Sequence, residues 1–144
     1  MENSEVLAQR LQTIIDGINQ DFEEKSAVRD RTLQRSRELI RYCANSIRAT
    51  HRGDNAEARA LLDTAQRTAA EMLAEARQFP DVYYAGYTQD SLKELAEAHL
   101  TRAIILEEPA PTPADIDVEN AAYLNGLAEA ASELRRFALD ALRR

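Results

Sequence analysis

The sequence predicts an all-α protein, an antiparallel helical bundle with one long N-terminal helix. Apolar residues recur at spacings of three and four along most of the chain, which is the period of an amphipathic helix. Ala, Leu, Glu and Arg are abundant, whereas Gly and Pro number only four each among 144 residues. With 44% hydrophobic and 30% charged residues the chain can bury one core, so we expect a single domain covering residues 1–144.

The first helix is expected to run from about Ser4 to His51, as one very long helix or two in line. Its seam resembles that of a coiled coil and consists of Leu7, Leu11, Ile14, Ile18 and Phe22, followed by Val28, Leu33, Ile40, Cys43 and Ile47. At 1.5 Å per residue such a helix spans roughly 70 Å, more than a four-helix core needs. We therefore expect its outer half to bury its seam by self-association into a homo-oligomer.

Turn residues divide the middle of the chain. Gly53 is expected to end the first helix in the left-handed conformation, and Asp54 or Asn55 to cap the second. The second helix should cover about 55–79, where Pro80 stops it. A tyrosine-rich connection over residues 81–88 then leads into the third helix.

The third helix is expected over about 89–107 and has two distinct faces. One face is largely apolar and carries Leu92, Leu95, Ala96, His99 and Ala103, and the opposite face carries Asp90, Glu94, Glu97 and Thr101. A histidine on an apolar face is most often a packed core residue. The single cysteine, Cys43, cannot form an internal disulfide, and at a core position it is expected to be inert.

The fourth helix follows a proline-rich loop at 107–113. Residues 112–115 resemble a short capped turn, and Asp117 is expected to cap the helix, which runs to about Arg143. Its predicted core stripe is Leu124, Leu127, Ala131, Leu134, Ala138 and Leu142.

Two acidic pairs lie at helical spacing in the last two helices. Glu94 and Glu97 are three apart, and Glu129 and Glu133 are four apart, so each pair shares one helix face. A solvated face is the ordinary explanation, and spacing alone does not bring Glu129 to Glu94. However, neither of these two has a basic residue three or four positions away. If the helices pack through these faces, three or four carboxylates converge, and a divalent cation is the usual means of neutralising them.

The rest of the sequence offers little other site chemistry. His51 and His99 are far apart in sequence, and no Gly-rich phosphate loop, zinc-binding spacing or nucleophile–His–acid set is present. No stretch approaches the roughly 20 apolar residues of a membrane span, and the first residues do not form a secretion signal. We therefore expect a cytoplasmic protein without a membrane partner. The net charge of −7 argues weakly against broad nucleic-acid coating.

Several short motifs resemble the translin family, in the same order along the chain. Phe-Pro at 79–80 followed by Tyr-Tyr at 83–84 is similar to a junction in translin. Glu-Leu-Ala-Glu-Ala at 94–98 resembles the Glu-Tyr-Val-Glu-Ala signature of translin-associated factor X. Ala-Tyr-Leu-Asn-Gly-Leu-Ala-Glu at 122–129 resembles its Asp-Tyr-Leu-Leu-Gly-Val-Ala-Asp stretch, and Ser-Glu-Leu-Arg-Arg at 132–136 resembles the segment that follows in both proteins.

The resemblance implies a helical fold that assembles into closed oligomers, with RNA as ligand. The factor X type is a Mg²⁺-dependent endoribonuclease that uses acids on two helices. By this resemblance Glu94, Glu97 and Glu129 are the expected catalytic residues and ligands of Mg²⁺ or Mn²⁺, and Glu133 is an additional expected metal ligand. The expected substrate is single-stranded RNA, with phosphate contacts from a set of arginines on the first helix: Arg37, Arg41 and Arg48.

Three departures from the family pattern bear on these expectations. Glu129 stands where the family has Asp, which makes the third acid one methylene longer. The basic, His-containing segment of translin is replaced at 85–90, so that nucleic-acid site is not carried over. The sequence also stops just after the fourth helix, where the family continues, which fits either a minimal microbial version or a piece of a longer chain.

Two other classes of function remain open at this point. The first is a non-catalytic oligomer that binds RNA or single-stranded DNA, as translin does. The second is a scaffold or partner subunit with no nucleic-acid role, which the acidic net charge favours. A di-metal oxidase of the helical-bundle type is disfavoured because the sequence has no Glu-x-x-His motif.

Overall fold

The computed structural model describes residues 2–143, with side chains from Asn3 onward. It confirms an all-α bundle with a long N-terminal helix. Five helices account for its regular structure: α1 (Glu2–Arg52), α2 (Asn55–Ala76), α3 (Pro80–Tyr83), α4 (Gly86–Ile105) and α5 (Asn120–Leu142). The first predicted helix is a single continuous element of 51 residues.

The junction between α1 and α2 follows the predicted turn chemistry. Gly53 has a φ of 79°, which a residue with a Cβ adopts only at a cost. Asp54 is the cap, because its side chain accepts a hydrogen bond from the backbone N–H of Glu57 at 3.1 Å. α2 ends at Ala76 rather than near Phe79, and Pro80 begins the short helix α3 instead of only stopping α2. Proline suits a first helical turn because its missing N–H would have no helical partner there.

Alanine substitutions at Asp54 and Asn55 test which of the two residues caps α2. Asp54→Ala removes the acceptor of the Glu57 N–H and should lower the free energy of unfolding by about 1 kcal/mol. Asn55→Ala alters the first residue of α2 and should cost less. Urea unfolding followed by circular dichroism measures both, and an equal or larger cost at Asn55 would contradict this assignment.

The loop between α4 and α5 confirms one predicted turn and corrects one predicted cap. Thr112 and Asp115 form the capped turn, because the backbone N–H of each donates to the side chain of the other, at 2.7 and 3.2 Å. Asp117 does not cap α5. It has a φ of 56° and accepts two hydrogen bonds from Arg77, at 2.6 and 3.0 Å. Asp tolerates this left-handed conformation better than most residues, and α5 begins only at Asn120.

The core lies where α1, α2 and α4 meet. Its fully buried members come from all three helices: Leu39, Cys43, Ala65, Ala69, Met72, Leu92, Leu95 and Ala96. Cys43 is inaccessible to solvent, and burial, together with the nearby Glu94 and Glu97 carboxylates, raises the pKa of its thiol. The thiol is therefore the inert core group that its position in α1 predicted.

α5 packs through a different face from the one the sequence predicted. The predicted stripe is largely solvent-exposed, with Leu124 at 64%, Leu127 at 40% and Leu142 at 84% of their full exposure. The buried face instead carries small residues: Ala122, Gly126 and Ala130. Small side chains allow two helix backbones to approach closely, and here they turn the acidic edge of α5 towards α4.

The outer half of α1 also exposes its seam. Leu7, Leu11, Ile14, Ile18 and Phe22 are each between 47% and 60% exposed, and within residues 2–143 nothing covers them. Self-association through this seam remains a prediction. Of the helices described, none combines the length and the apolar composition needed to cross a bilayer.

Candidate metal centre

The backbones of α4 and α5 approach each other closely at Gly126. A Cβ atom at this position would lie 2.7 Å from the Cβ of Ala96, 2.7 Å from the carbonyl oxygen of Lys93 and 2.9 Å from the backbone nitrogen of Glu97. These are clashes with a helix backbone, which cannot rotate away as a side chain can. The absence of a side chain at Gly126 therefore determines how near α5 comes to the acidic residues of α4.

This close approach brings three of the predicted acids together. Glu94 and Glu97 from α4 and Glu129 from α5 each have a carboxylate oxygen within 4.8 Å of the others. Glu129 lies three residues, less than one helical turn, after Gly126. Glu97 is only 7% exposed and Thr101 is fully buried, so part of the α4 face that spacing alone would leave in solvent is covered.

The protonation of the cluster reflects this crowding. Burial, with smaller contributions from Glu94 and Glu129, raises the pKa of Glu97 from an ordinary 4.5 to about 8. A hydrogen bond from Lys93 lowers the pKa of Glu129. At neutral pH Glu97 thus keeps a proton and donates it within the cluster, while Glu129 carries a negative charge.

Lys93 is the member of this site that sequence reasoning missed. Its ammonium lies 2.8 Å from Glu129 and 3.2 Å from Glu94, and these contacts raise its pKa to about 12. Lys93 does not lie three or four residues from either glutamate. It directly precedes Glu94 and reaches Glu129 on another helix. The adjacent opposite charges of Lys93 and Glu94 are the sequence feature that could have indicated this ion pair.

The donor set fits a hard divalent cation. Three carboxylates supply only oxygen atoms, which suit Mg²⁺ or Mn²⁺ better than zinc. Thr101 follows Glu97 by one turn of α4, and its buried hydroxyl oxygen lacks a hydrogen-bond partner within residues 2–143.

Glu133, the fourth predicted acid, is not part of this cluster. Its carboxylate lies 2.5 Å from Nε2 of His51, which joins α5 to the end of α1. His51 therefore has a partner that the sequence did not reveal. The other histidine, His99, is a packed residue bonded to Gln66 at 3.0 Å, and burial lowers its pKa to about 4.

The three arginines predicted to bind RNA lie on an exposed face of α1. Arg37, Arg41 and Arg48 follow one another at spacings of four and seven, which aligns them along the helix. The Arg41 guanidinium lies 5.5 Å from the ring centre of Tyr42, and Arg48 donates to Asn45 at 2.6 Å. None of the three contacts the carboxylate cluster in the described structure, and their role in binding RNA remains a prediction.

Comparison with known proteins identifies relatives by both sequence and structure. No family model matches the chain. It is 31% identical over 122 residues to an uncharacterized protein of Methanocaldococcus jannaschii, a match that covers 83% of this chain and 53% of that protein. The chain thus spans about half the length of this curated relative.

Three solved structures of C3PO, a translin-family assembly, share the fold. Apo-NeC3PO superposes with a TM-score of 0.82 at 20% identity, covering 89% of this chain and 68% of that one. AfC3PO in complex with duplex RNA gives 0.81 at 33% identity, covering 89% and 65%, and AfC3PO alone gives 0.81 at 32% identity, covering 89% and 66%. This chain therefore has a translin-like fold, as its motifs predicted, over about two thirds of the length of those structures.

Proposed function

We propose that this protein is a metal-dependent endoribonuclease whose catalytic residues are Glu94, Glu97 and Glu129. The observation that carries the proposal is the convergence of these carboxylates within 4.8 Å at a buried contact between two helices. Carboxylates held this close repel one another, and a divalent cation is the usual means of neutralising them. One solved neighbour, AfC3PO, is known in complex with duplex RNA, which supports RNA as the ligand class here.

In this proposal the three glutamates would bind the metal ion, and Lys93 would contact the substrate phosphate. Glu94 and Glu129 would hold Mg²⁺ or Mn²⁺ through their carboxylate oxygens, and Glu97 would join them as a third ligand after losing its proton. The bound ion would lower the pKa of a water molecule and offset charge that develops on the phosphate. Lys93, whose ammonium lies 2.8 Å from Glu129, would be placed to pair with a substrate phosphate if a cation neutralised that carboxylate.

A non-catalytic oligomer that binds RNA or single-stranded DNA is the second candidate. Lys93 favours it, because this ammonium already neutralises part of the cluster without a metal ion. On that alternative, the carboxylates and Lys93 stabilise the α4–α5 contact and do no chemistry. In both cases we expect a homo-oligomer, assembled through the exposed seam of α1.

A cleavage assay distinguishes the two candidates. Fluorescently labelled single-stranded RNA, duplex RNA and single-stranded DNA are each incubated with the protein in Mg²⁺, in Mn²⁺ and in EDTA. We expect internal cleavage of RNA that requires the metal and is lost in Glu94→Gln, with single-stranded RNA the preferred substrate. Products are resolved on denaturing gels.

The control variant is Glu23→Gln, which changes an exposed glutamate on the outer half of α1. It should cleave RNA at the wild-type rate. RNA that is bound but left intact in Mg²⁺ and Mn²⁺ would support the non-catalytic candidate. Cleavage that persists in EDTA, or in Glu94→Gln, would contradict the proposed mechanism.

A further inference from the structure

A polar cavity opens between the end of α1 and the last turns of α5. Its volume is about 320 Å³, and its lining consists of Arg48, His51, Arg52, Arg136 and Asp140. Three guanidinium groups and one carboxylate therefore face the same small space. The local charge is therefore positive, although the net charge of the protein is −7.

Two of these guanidinium groups have no carboxylate partner. Arg136 forms no ion pair within the described residues, although Glu133 and Asp140 lie at helical spacing from it. Glu133 is bonded to His51, and Asp140 approaches Arg143 at 3.9 Å. Arg48 likewise meets no acid there and donates only to Asn45. Arg52, by contrast, is paired with Glu57 at 2.7 Å.

His51 makes the inner wall of the cavity rigid. Its Nε2 is bonded to Glu133, and its ring lies 6.1 Å from that of Phe137, measured between ring centres. The side chain is only 12% exposed, and its Nδ1 has no partner in the part of the chain described. The cavity is thus formed by a fixed ring, with two arginine side chains free to bind a ligand.

The cavity lies on the same edge of α5 as the carboxylate cluster. Arg136 follows Glu129 by seven residues, which is nearly two full turns and about 10 Å along the helix. On α1 the aligned arginines 37 and 41 continue in the same row to Arg48 and Arg52. A strand bound at the cluster would therefore meet this cavity a short distance along its backbone.

We propose that this cavity binds a backbone phosphate of the RNA strand whose scissile phosphodiester lies at Glu94, Glu97 and Glu129. The inference rests on the proposed function and adds to it a second contact that sets the direction of the strand. Arginine suits the role because its planar fork donates two parallel hydrogen bonds to phosphate oxygens. About 10 Å along α5 separates the two sites by no more than a few nucleotides, so one strand can reach both.

The test measures RNA binding in EDTA, so that cleavage plays no part. Arg136→Gln and Arg48→Gln are each compared with wild type by fluorescence anisotropy, using a labelled RNA over a range of salt concentrations. Each variant should bind about tenfold more weakly. The slope of log Kd against log salt should fall by about 0.7 to 0.9 for each phosphate contact removed.

Arg67→Gln is the matched control, since Arg67 is an exposed arginine on α2 that lines no part of this cavity. It removes the same charge and should leave the slope unchanged. Arg136→Lys keeps the charge without the fork and should bind with intermediate affinity. Equal slopes in Arg136→Gln and Arg67→Gln would overturn the inference. A loss confined to RNA with a 5′-phosphate would also overturn it, by assigning the cavity to a terminal phosphate.

The outcomes separate this inference from the proposed function. RNA binding with the expected slopes, but no cleavage in Mg²⁺, would end the nuclease proposal and leave the phosphate cavity in place. Cleavage with unchanged slopes in both arginine variants would end only the cavity assignment. A wild-type protein that binds no RNA would overturn both. Thermal unfolding of each variant confirms that it is folded.

Discussion

Glu97→Gln is expected to abolish RNA cleavage and, in the absence of metal, to make the folded protein more stable than wild type above pH 8. The loss of cleavage should be at least about 100-fold, because an amide is a poor ligand for Mg²⁺ and carries no charge. The gain in stability should be on the order of 2 kcal/mol, because glutamine reproduces the neutral form that the buried site favours. Function and stability would thus change in opposite directions at one residue.

The pH dependence of this effect follows from the pKa of Glu97. The folded protein holds this proton up to about pH 8, whereas the unfolded chain releases it near 4.5. Between these values the folded state binds more protons than the unfolded state, so the stability of wild type falls as pH rises. Below about pH 4.5 the wild-type protein and Glu97→Gln should be equally stable. The difference should reach its full size above pH 8.

Urea unfolding in EDTA at several pH values between 4 and 9 measures this dependence. Glu23→Gln, on the exposed outer half of α1, should differ from wild type by less than about 0.5 kcal/mol throughout. Adding Mg²⁺ at pH 8.5 should stabilise wild type and leave Glu97→Gln unchanged, since only a bound cation shifts the unfolding equilibrium. A Glu97→Gln variant that is less stable than wild type at pH 8.5 would show that the folded protein does not raise the pKa of Glu97.

Gly126→Ala is expected to damage both the fold and the metal centre. The new methyl group would meet Ala96 and the backbone of α4 at under 3 Å, so α5 must move outward. Such overpacking typically costs about 1 to 3 kcal/mol. Because Glu129 follows on the same helix, the movement would also widen the carboxylate cluster and weaken the binding of Mg²⁺ or Mn²⁺ by at least about tenfold.

Gly17→Ala is the control, because it makes the same substitution at a helix position where the new methyl group meets nothing. Gly17 lies within α1, and a Cβ atom there would have no atom within 4 Å. The substitution should therefore stabilise the protein by about 0.5 to 1 kcal/mol, as alanine does in helices. Thermal unfolding and Mn²⁺ binding followed by electron paramagnetic resonance measure the two effects. If Gly126→Ala bound Mn²⁺ as tightly as wild type, the close helix contact would not determine the geometry of the site.

Local sequence chemistry predicted the parts of the fold that depend on near neighbours. The left-handed turn at Gly53, the cap at Asp54 and the turn at 112–115 each involve groups within three or four residues. The cap assigned to Asp117 was wrong for a different reason. That carboxylate is bound by Arg77, forty residues earlier, and no local pattern contains this information.

The packing of α5 shows that the hydrophobic pattern of a helix does not always predict which face is buried. Its leucines formed the most apolar stripe, yet α5 is buried through Ala122, Gly126 and Ala130. Burial favours apolar area, but the approach of two helices is also limited by the size of the side chains between them. The face of α5 with small side chains lets its backbone approach α4 closely, and the leucines remain exposed within the described chain.

The sequence by itself determined the helical fold, the long α1 and the identity of the acids, because periodicity and motif order are properties of the chain alone. Only the tertiary structure decided that Glu94, Glu97 and Glu129 meet, that Lys93 joins them, and that Glu133 instead binds His51. Helical spacing fixes which residues share a face, but not the neighbour that the face meets. That choice depends on the fit between whole helices, and here on the absence of a side chain at Gly126.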